Sequence, residues 1–137
     1  MEQFAGASSI SVACGSAISD RLYDVNDIKN AINEVYRINE ALRIRISLDA
    51  KEPEQYVNEY EYRKVDVLEF SSKEEVYQYC EQEARVPIAL TDELCELKVI
   101  SSESFCGVFY KLHHIISDAW AISLLQSQIY KILKKQK

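Results

Sequence analysis

The chain has 137 residues, of which 47% are apolar and 28% charged, and only three are glycines and two prolines. This composition is typical of one compact domain with its own core, and it excludes a disordered segment or a repeat array. A formal charge of −6 argues against a nucleic-acid or anionic-membrane surface, and the absence of a bilayer-length apolar stretch or a signal-peptide profile predicts a cytoplasmic domain.

The first third of the chain predicts a strand, a helix and a second strand. Small and β-branched residues over 8–18 favour a strand. Asp24 is a helix N-cap candidate, and apolar residues then recur at three- and four-residue spacing to about Asn39. Ala41 to Leu48 alternates apolar residues with polar ones that include two arginines, which predicts a strand half-buried in a sheet.

The middle of the chain predicts another strand and a capped helix. A proline turn at residues 51–54 leads into one more strand and an extended connection within residues 55–70. Ser72 and Glu75 form a capping-box pattern for a helix that Pro87 ends.

The last third predicts a hairpin and a final helix. Residues 96–100 and 105–112 are two short strands joined by a polar turn, and a helix starts at about Asp118. Its expected buried stripe comprises Ala121, Leu124, Leu125, Ile129, Ile132 and Leu133. The order β-α-β-β-α-β-β-α predicts an α/β fold, specifically an α+β two-layer sandwich with a mixed or mostly antiparallel sheet covered by helices.

Four cysteines, Cys14, Cys80, Cys95 and Cys106, show neither CxxC spacing nor clustering with the histidines. Each falls within an apolar pattern, so we expect buried free thiols in a reducing cytoplasm, although a disulfide stays possible.

The only two histidines, His113 and His114, are adjacent and lie where the last strand meets the last helix. They could be unrelated core or surface residues, or one imidazole could face a cleft and move a proton. A metal site formed by His114 and Asp118 is disfavoured, because adjacent residues of a strand point to opposite faces and no third ligand has suitable spacing.

The motif HHIISDAW at 113–120 resembles the HHxxxDG active-site motif of condensation domains from nonribosomal peptide synthetases. The stretch NEALRIRI at 39–46 is similar to the RHExLRTxF stretch of that family, and EPEQYV at 52–57 resembles its E-P-x-Q-x-V segment. Residues 86–99 are similar to its "P-F-D-L…P-L-x-R" region, and all four stretches occur in the family order.

The resemblance implies a chloramphenicol-acetyltransferase-like fold and an amide-forming acyltransferase. His114, with His113 beside it in the motif, would assist attack of an acceptor amine on an acyl thioester, as general base or by positioning the amine. Asp118 would have a structural role and pair with Arg43, although an ordinary solvated arginine on a sheet face is an equally open interpretation. The chain would bind no metal or other cofactor of its own. Its substrates would be carried on the phosphopantetheine arms of peptidyl or acyl carrier proteins.

The chain departs from the family pattern at Ala119, which replaces a glycine, and at Asn39, which replaces a histidine. The motifs of the second half of the condensation fold have no counterpart, so residues 1–137 are interpreted as its N-terminal subdomain, with the C-terminal half as partner. The isolated chain would then be nearly inactive. The alternatives are a coenzyme A-dependent acyltransferase completed by self-association and a half-domain that docks carrier proteins without chemistry.

Overall fold

The computed structural model describes residues 12–48, 51–52, 54–114, 116 and 119–135. A short 3-10 helix, Glu40–Arg43, precedes the second strand. The strands are β1 Val12–Ser19, β2 Ile44–Ser47, β3 Glu54–Val57, β4 Val67–Glu69, β5 Cys95–Ser101 and β6 Cys106–His113. The helices are α1 Val25–Ile38, α2 Lys73–Glu83 and α3 Ala119–Lys135.

The main sheet has four strands in the order β1-β6-β5-β4, and β2 pairs with β3 in a separate two-stranded sheet. β6 runs antiparallel to both β1 and β5, whereas β4 is parallel to β5. The predicted hairpin is therefore confirmed, as is the predicted α/β class with a mixed sheet. β6 is held on both sides, so the position of its last residue is fixed by two neighbouring strands.

Helices α1 and α3 cover one face of this sheet. Asp24 caps α1 as predicted, accepting a hydrogen bond from the N–H of Asn26 at 2.8 Å. The resulting core contains Ile28, Ile32 and Val35 of α1, Leu97 and Val99 of β5, Val108 and Leu112 of β6, and Leu125, Ile129 and Leu133 of α3. The predicted buried stripe of α3 is confirmed for Leu125, Ile129 and Leu133. The side chain of Ala121, also predicted to belong to the stripe, lies outside the part that the structure describes.

Helix α2 packs on the opposite face of the main sheet, so helices contact both of its faces. The Ser72 hydroxyl accepts the N–H of Glu75 at 3.3 Å, and the Glu75 carboxylate accepts the N–H of Ser71 at 2.7 Å. These two bonds confirm the predicted helix start. The helix ends at Glu83, four residues before Pro87, and its apolar side forms a second core with Val76, Ile100, Phe105 and Phe109 buried.

Close contact between β1 and β6 explains why residue 107 is a glycine. A Cβ added to Gly107 would lie 2.0 Å from the carbonyl oxygen of Ala17, which is main chain that has little freedom to move. Any side chain at this position would force the two strands apart, so the register of β6 depends on glycine here.

Two predictions about strands were inaccurate. The strand expected from Ala41 begins only at Ile44, because residues 40–43 form the 3-10 helix. Residues 55–70 contain two strands, β3 and β4, where one strand and an extended connection were expected. All four residues of β3 are exposed and β4 has only three residues, so neither carries a clear pattern of alternating burial.

No helix in the described ranges is long and apolar enough to span a membrane.

Candidate active site

The end of β6 presents the two histidines in different environments. His113 is the last residue of the strand, and its N–H donates to the carbonyl oxygen of Leu94 at 2.8 Å. His114 follows in a turn that is closed by a 3.0 Å hydrogen bond from the N–H of Ile116 to the carbonyl oxygen of His113. His113 is half-buried and His114 is exposed. A fixed strand end therefore carries one sheltered imidazole and one that solutes can reach.

His113 shares a sheet face with Phe109 and Lys111, because alternate residues of a strand point to the same side. Burial lowers the pKa of His113 below the usual 6.5, and the neighbouring charge of His114 lowers it further. Both effects favour the neutral form of the His113 imidazole at neutral pH.

Arg43 has a different setting from the one its sequence pattern suggested. It ends the 3-10 helix, so the interpretation as a solvated arginine on a sheet face is wrong. Its guanidinium donates to three carbonyl oxygens, those of Tyr36 at 2.9 Å, Asn58 at 2.8 Å and Arg37 at 3.2 Å. Arg43 thus ties the end of α1 to the segment after β3. Asp118 lies outside the described residues, so its pairing with Arg43 stays a prediction.

The replacement of the family glycine by Ala119 fits the local backbone. Ala119 is the first residue of α3, and alanine has the highest helix propensity of any residue. The backbone is helical at this position, so it does not need the positive φ that would favour glycine.

Two polar contacts near the site were not predicted from the sequence. The Nδ2 group of Asn39 donates to Oε1 of Gln128 at 2.6 Å and to the carbonyl oxygen of Val35 at 2.9 Å, which links the end of α1 to α3. Lys111 Nζ lies 3.3 Å from Oε1 of Glu83. For the second contact, the sequence contains one indication that Lys111 has a polar partner, because it is a lysine within the otherwise apolar residues 105–112.

All four cysteines are free. Cys95 and Cys106 are buried, whereas Cys14 and Cys80 are only partly buried, so the prediction of buried thiols is confirmed for two of the four. Within the described part of the chain, no group of three His, Cys, Asp or Glu side chains is arranged to hold a metal ion.

A sequence model of the condensation-domain family matches residues 1–137. Among curated proteins, the chain is 31% identical over 144 residues to surfactin synthase subunit 1 of Bacillus subtilis (strain 168), covering 96% of this chain and 4% of that protein. It is 26% identical over 121 residues to a plipastatin synthase of the same strain, covering 83% of this chain and 5% of that protein. The chain therefore spans a small fraction of the length of these relatives.

Solved structures share the fold at low sequence identity. The starter condensation domain of rhizomide synthetase superposes with a TM-score of 0.80 at 12% identity, over 90% of this chain and 33% of that one. The first condensation domain of the CDA synthetase gives a TM-score of 0.74 at 14% identity, over 89% of this chain and 34% of that one. These similarities confirm the fold predicted from the sequence.

Proposed function

The chain belongs to the condensation-domain family, and from this premise we propose that it is the N-terminal part of a domain that joins two carrier-bound thioesters through an amide bond. The family match supports this proposal, as does the placement of the histidine motif at the end of the central strand β6. The observation that carries the proposal is the exposed imidazole of His114 beside the half-buried His113.

The proposed chemistry is transfer of an acyl group from sulfur to nitrogen. As the acceptor amine attacks the thioester carbonyl carbon, the imidazole of His114 accepts a proton from the nitrogen or orients it. The carbon–sulfur bond then breaks, and the proton passes to the departing thiolate. The products are an amide and a free thiol, so no oxidant or reductant is needed.

The neighbouring residues support His114 in this proposal. The pKa of His113 is lowered, so its neutral imidazole does not repel the positive charge that His114 gains on accepting a proton. Arg43 holds the 3-10 helix to the end of α1 through two carbonyl oxygens and to the segment after β3 through a third. Asp118 would join the turn that carries His114 to this arginine.

The substrates and partners follow from the same proposal. The acyl and amine groups would be delivered on phosphopantetheine arms of peptidyl or acyl carrier proteins, and the chain would supply no cofactor of its own. Its four free thiols are compatible with the reducing cytoplasm expected for such a synthetase.

The test is His114→Ala in the complete condensation domain, with amide formation measured from two carrier-bound substrates. We expect a loss of about 10²–10⁴-fold, the usual contribution of a general acid or base. The control is Lys131→Ala, an exposed position on α3, which should retain activity. An unchanged product yield in His114→Ala would favour the alternative of a half-domain that only docks carrier proteins.

A second experiment concerns the chain by itself. The chain covers 31% to 33% of three matched rhizomide synthetase structures, and we propose that the rest of the domain forms the other wall of the substrate channel. The isolated chain should then be a monomer by light scattering and nearly inactive. Detectable amide formation by the isolated chain would contradict this, and a stable trimer that binds coenzyme A would favour a self-completing acyltransferase.

A further inference from the structure

Two of the four cysteines, Cys14 of β1 and Cys80 of α2, lie at the interface between these two elements. Both pack against the second core, the one beneath α2, and both are free thiols that are only partly buried. Some Cα atoms of β1 lie within 8 Å of Cα atoms of α2. The two backbones therefore approach the spacing that a disulfide spans, about 4.4–6.8 Å between Cα atoms.

The pairing of β6 with both elements places the two thiols near each other. Cys14 lies directly opposite Lys111 in the ladder between β1 and β6. Nζ of Lys111 lies 3.3 Å from Oε1 of Glu83 in α2. Cys80 is three residues before Glu83, so it lies one turn earlier on the same side of the helix. Lys111 is thus a common neighbour of Cys14 and of the helix turn that carries Cys80.

Side-chain interactions across the interface agree with this placement. Cys14 and Ser16 are two residues apart in β1, so their side chains point to the same face of the sheet. The Ser16 hydroxyl forms a hydrogen bond with the sulfur of Cys80. Burial is the main cause of the raised pKa of Cys14, and the charge of a Cys80 thiolate raises it further. The two sulfur atoms are therefore close enough to interact electrostatically.

Neither of the other two cysteines can replace Cys14 or Cys80 in such a pair. Cys95 and Cys106 belong to the first core, on the opposite face of the main sheet. Cys95 begins β5 and Cys106 begins β6, and these strands run antiparallel, so the two thiols lie at opposite ends of the hairpin. The folded chain consequently offers one pair of thiols for an intramolecular disulfide.

We propose that Cys14 and Cys80 are a redox-active pair, which a small disulfide converts into an intramolecular disulfide between β1 and α2. The Cys80 thiolate, to which the Ser16 hydroxyl donates, attacks the small disulfide and breaks its S–S bond. One small thiolate leaves and takes up a proton. The Cys14 thiolate then attacks the sulfur of Cys80 and releases the second small thiol. The chain loses two protons and two electrons, and the small disulfide is reduced to two thiols.

The test incubates the chain with oxidised 2-mercaptoethanol, a small neutral disulfide, at about pH 9, where more of each thiol is ionised. Mass spectrometry should show the loss of two hydrogen atoms, and peptide mapping without reductant should find Cys14 linked to Cys80. A chain that accumulates only mixed disulfides with mercaptoethanol, or that links a different pair of cysteines, would overturn the inference.

The stability of the oxidised chain provides a second measurement. The disulfide would close a long loop, from residue 14 to residue 80, and so restrict the unfolded chain. The oxidised chain should therefore unfold at a higher urea concentration than the reduced chain, and dithiothreitol should reverse the change. An oxidised chain that unfolds at a lower urea concentration would show that the bond distorts the interface, which contradicts a pair already placed to form it.

Serine variants identify the two partners. Cys14→Ser should accumulate the mixed disulfide on Cys80, because the thiol that resolves it is missing. Cys80→Ser should form no intramolecular disulfide, whereas the matched control Cys95→Ser should form it as the unmodified chain does. Circular dichroism establishes that each variant is folded. Intramolecular disulfide formation by folded Cys14→Ser, or its loss in folded Cys95→Ser, would contradict the assignment.

The disulfide does not depend on the proposed acyl transfer. Its formation is measured on this chain by mass and stability, whereas the proposed function is measured by amide formation in the complete domain. Loss of either result therefore leaves the other unaffected.

Discussion

Lys111 and Glu83 form an ion pair between the central strand of the sheet and the last residue of α2, with Nζ and Oε1 3.3 Å apart. The Lys111 side chain is 4% exposed, while that of Glu83 is 27% exposed. The pair lies on the same face as His113, because Lys111 is two residues before it in β6. It fixes the end of α2 to the strand that carries the histidine motif.

Removing the carboxylate should cost more stability than removing the buried lysine. Glu83→Ala leaves the Lys111 ammonium buried without this partner, and we expect a loss of about 1–3 kcal/mol. Lys111→Met keeps most of the volume and removes the buried charge, so we expect less than about 1.5 kcal/mol. Urea unfolding of both variants measures the difference. A larger loss of stability in Lys111→Met than in Glu83→Ala would show that the Lys111 ammonium stabilises the fold through contacts other than the one with Glu83.

Arg43→Ala should destabilise the fold by about 1–3 kcal/mol, because it removes three charge-assisted hydrogen bonds to carbonyl oxygens. The matched control is Arg37→Ala, since Arg37 is exposed and its side chain pairs with Glu34 on the helix surface. Urea midpoints should fall for Arg43→Ala and stay nearly unchanged for Arg37→Ala. Similar shifts in the two variants would contradict a bracing role for Arg43.

The predicted pair between Asp118 and Arg43 can be tested by a double-mutant cycle. If Asp118 contacts the guanidinium, then Asp118→Asn and Arg43→Ala should be non-additive, with a coupling energy of at least about 0.5 kcal/mol in urea unfolding. Additive effects would contradict a contact between Asp118 and Arg43.

The His113 imidazole should titrate below 6.5 in NMR spectra of the folded chain. Replacing the neighbour in His114→Ala should raise the pKa of His113, though not fully, because burial is the larger cause of the shift. The unfolded chain binds the proton more tightly, so the contribution of His113 to stability is complete above pH 6.5 and declines as the pH falls below it. An unchanged His113 titration in His114→Ala would exclude repulsion between the two rings.

The native thiols should react slowly with a disulfide reagent at pH 7. Burial raises the pKa of Cys14 to about 11 from the usual 9.0, which lowers its thiolate fraction by about a hundredfold. Burial also raises the pKa of Cys95 to about 12. All four thiols should react rapidly once the chain is unfolded in guanidinium. Fast labelling of Cys95 in the native chain would indicate local opening around β5.

Local sequence determined most of the elements and the position of the histidine motif. Asp24 and Ser72 are each followed by apolar residues at helical spacing, and a cap acts on amides only two or three residues away. The hairpin of β5 and β6 is likewise local, since a short polar turn joins two apolar runs. Interactions over such short distances along the chain leave a pattern that can be read without knowing the fold.

Only the tertiary structure determined how these elements are joined around the site. Arg43 bonds to main-chain carbonyl groups, which every residue has, so no side-chain pattern could indicate its partners. Asn39 meets Gln128 across 89 positions, and Lys111 meets Glu83 across 28. An apolar cavity lined by Ala41, Leu112 and Leu125 depends on the same long-range packing, because its walls come from three elements that become neighbours only when the chain folds.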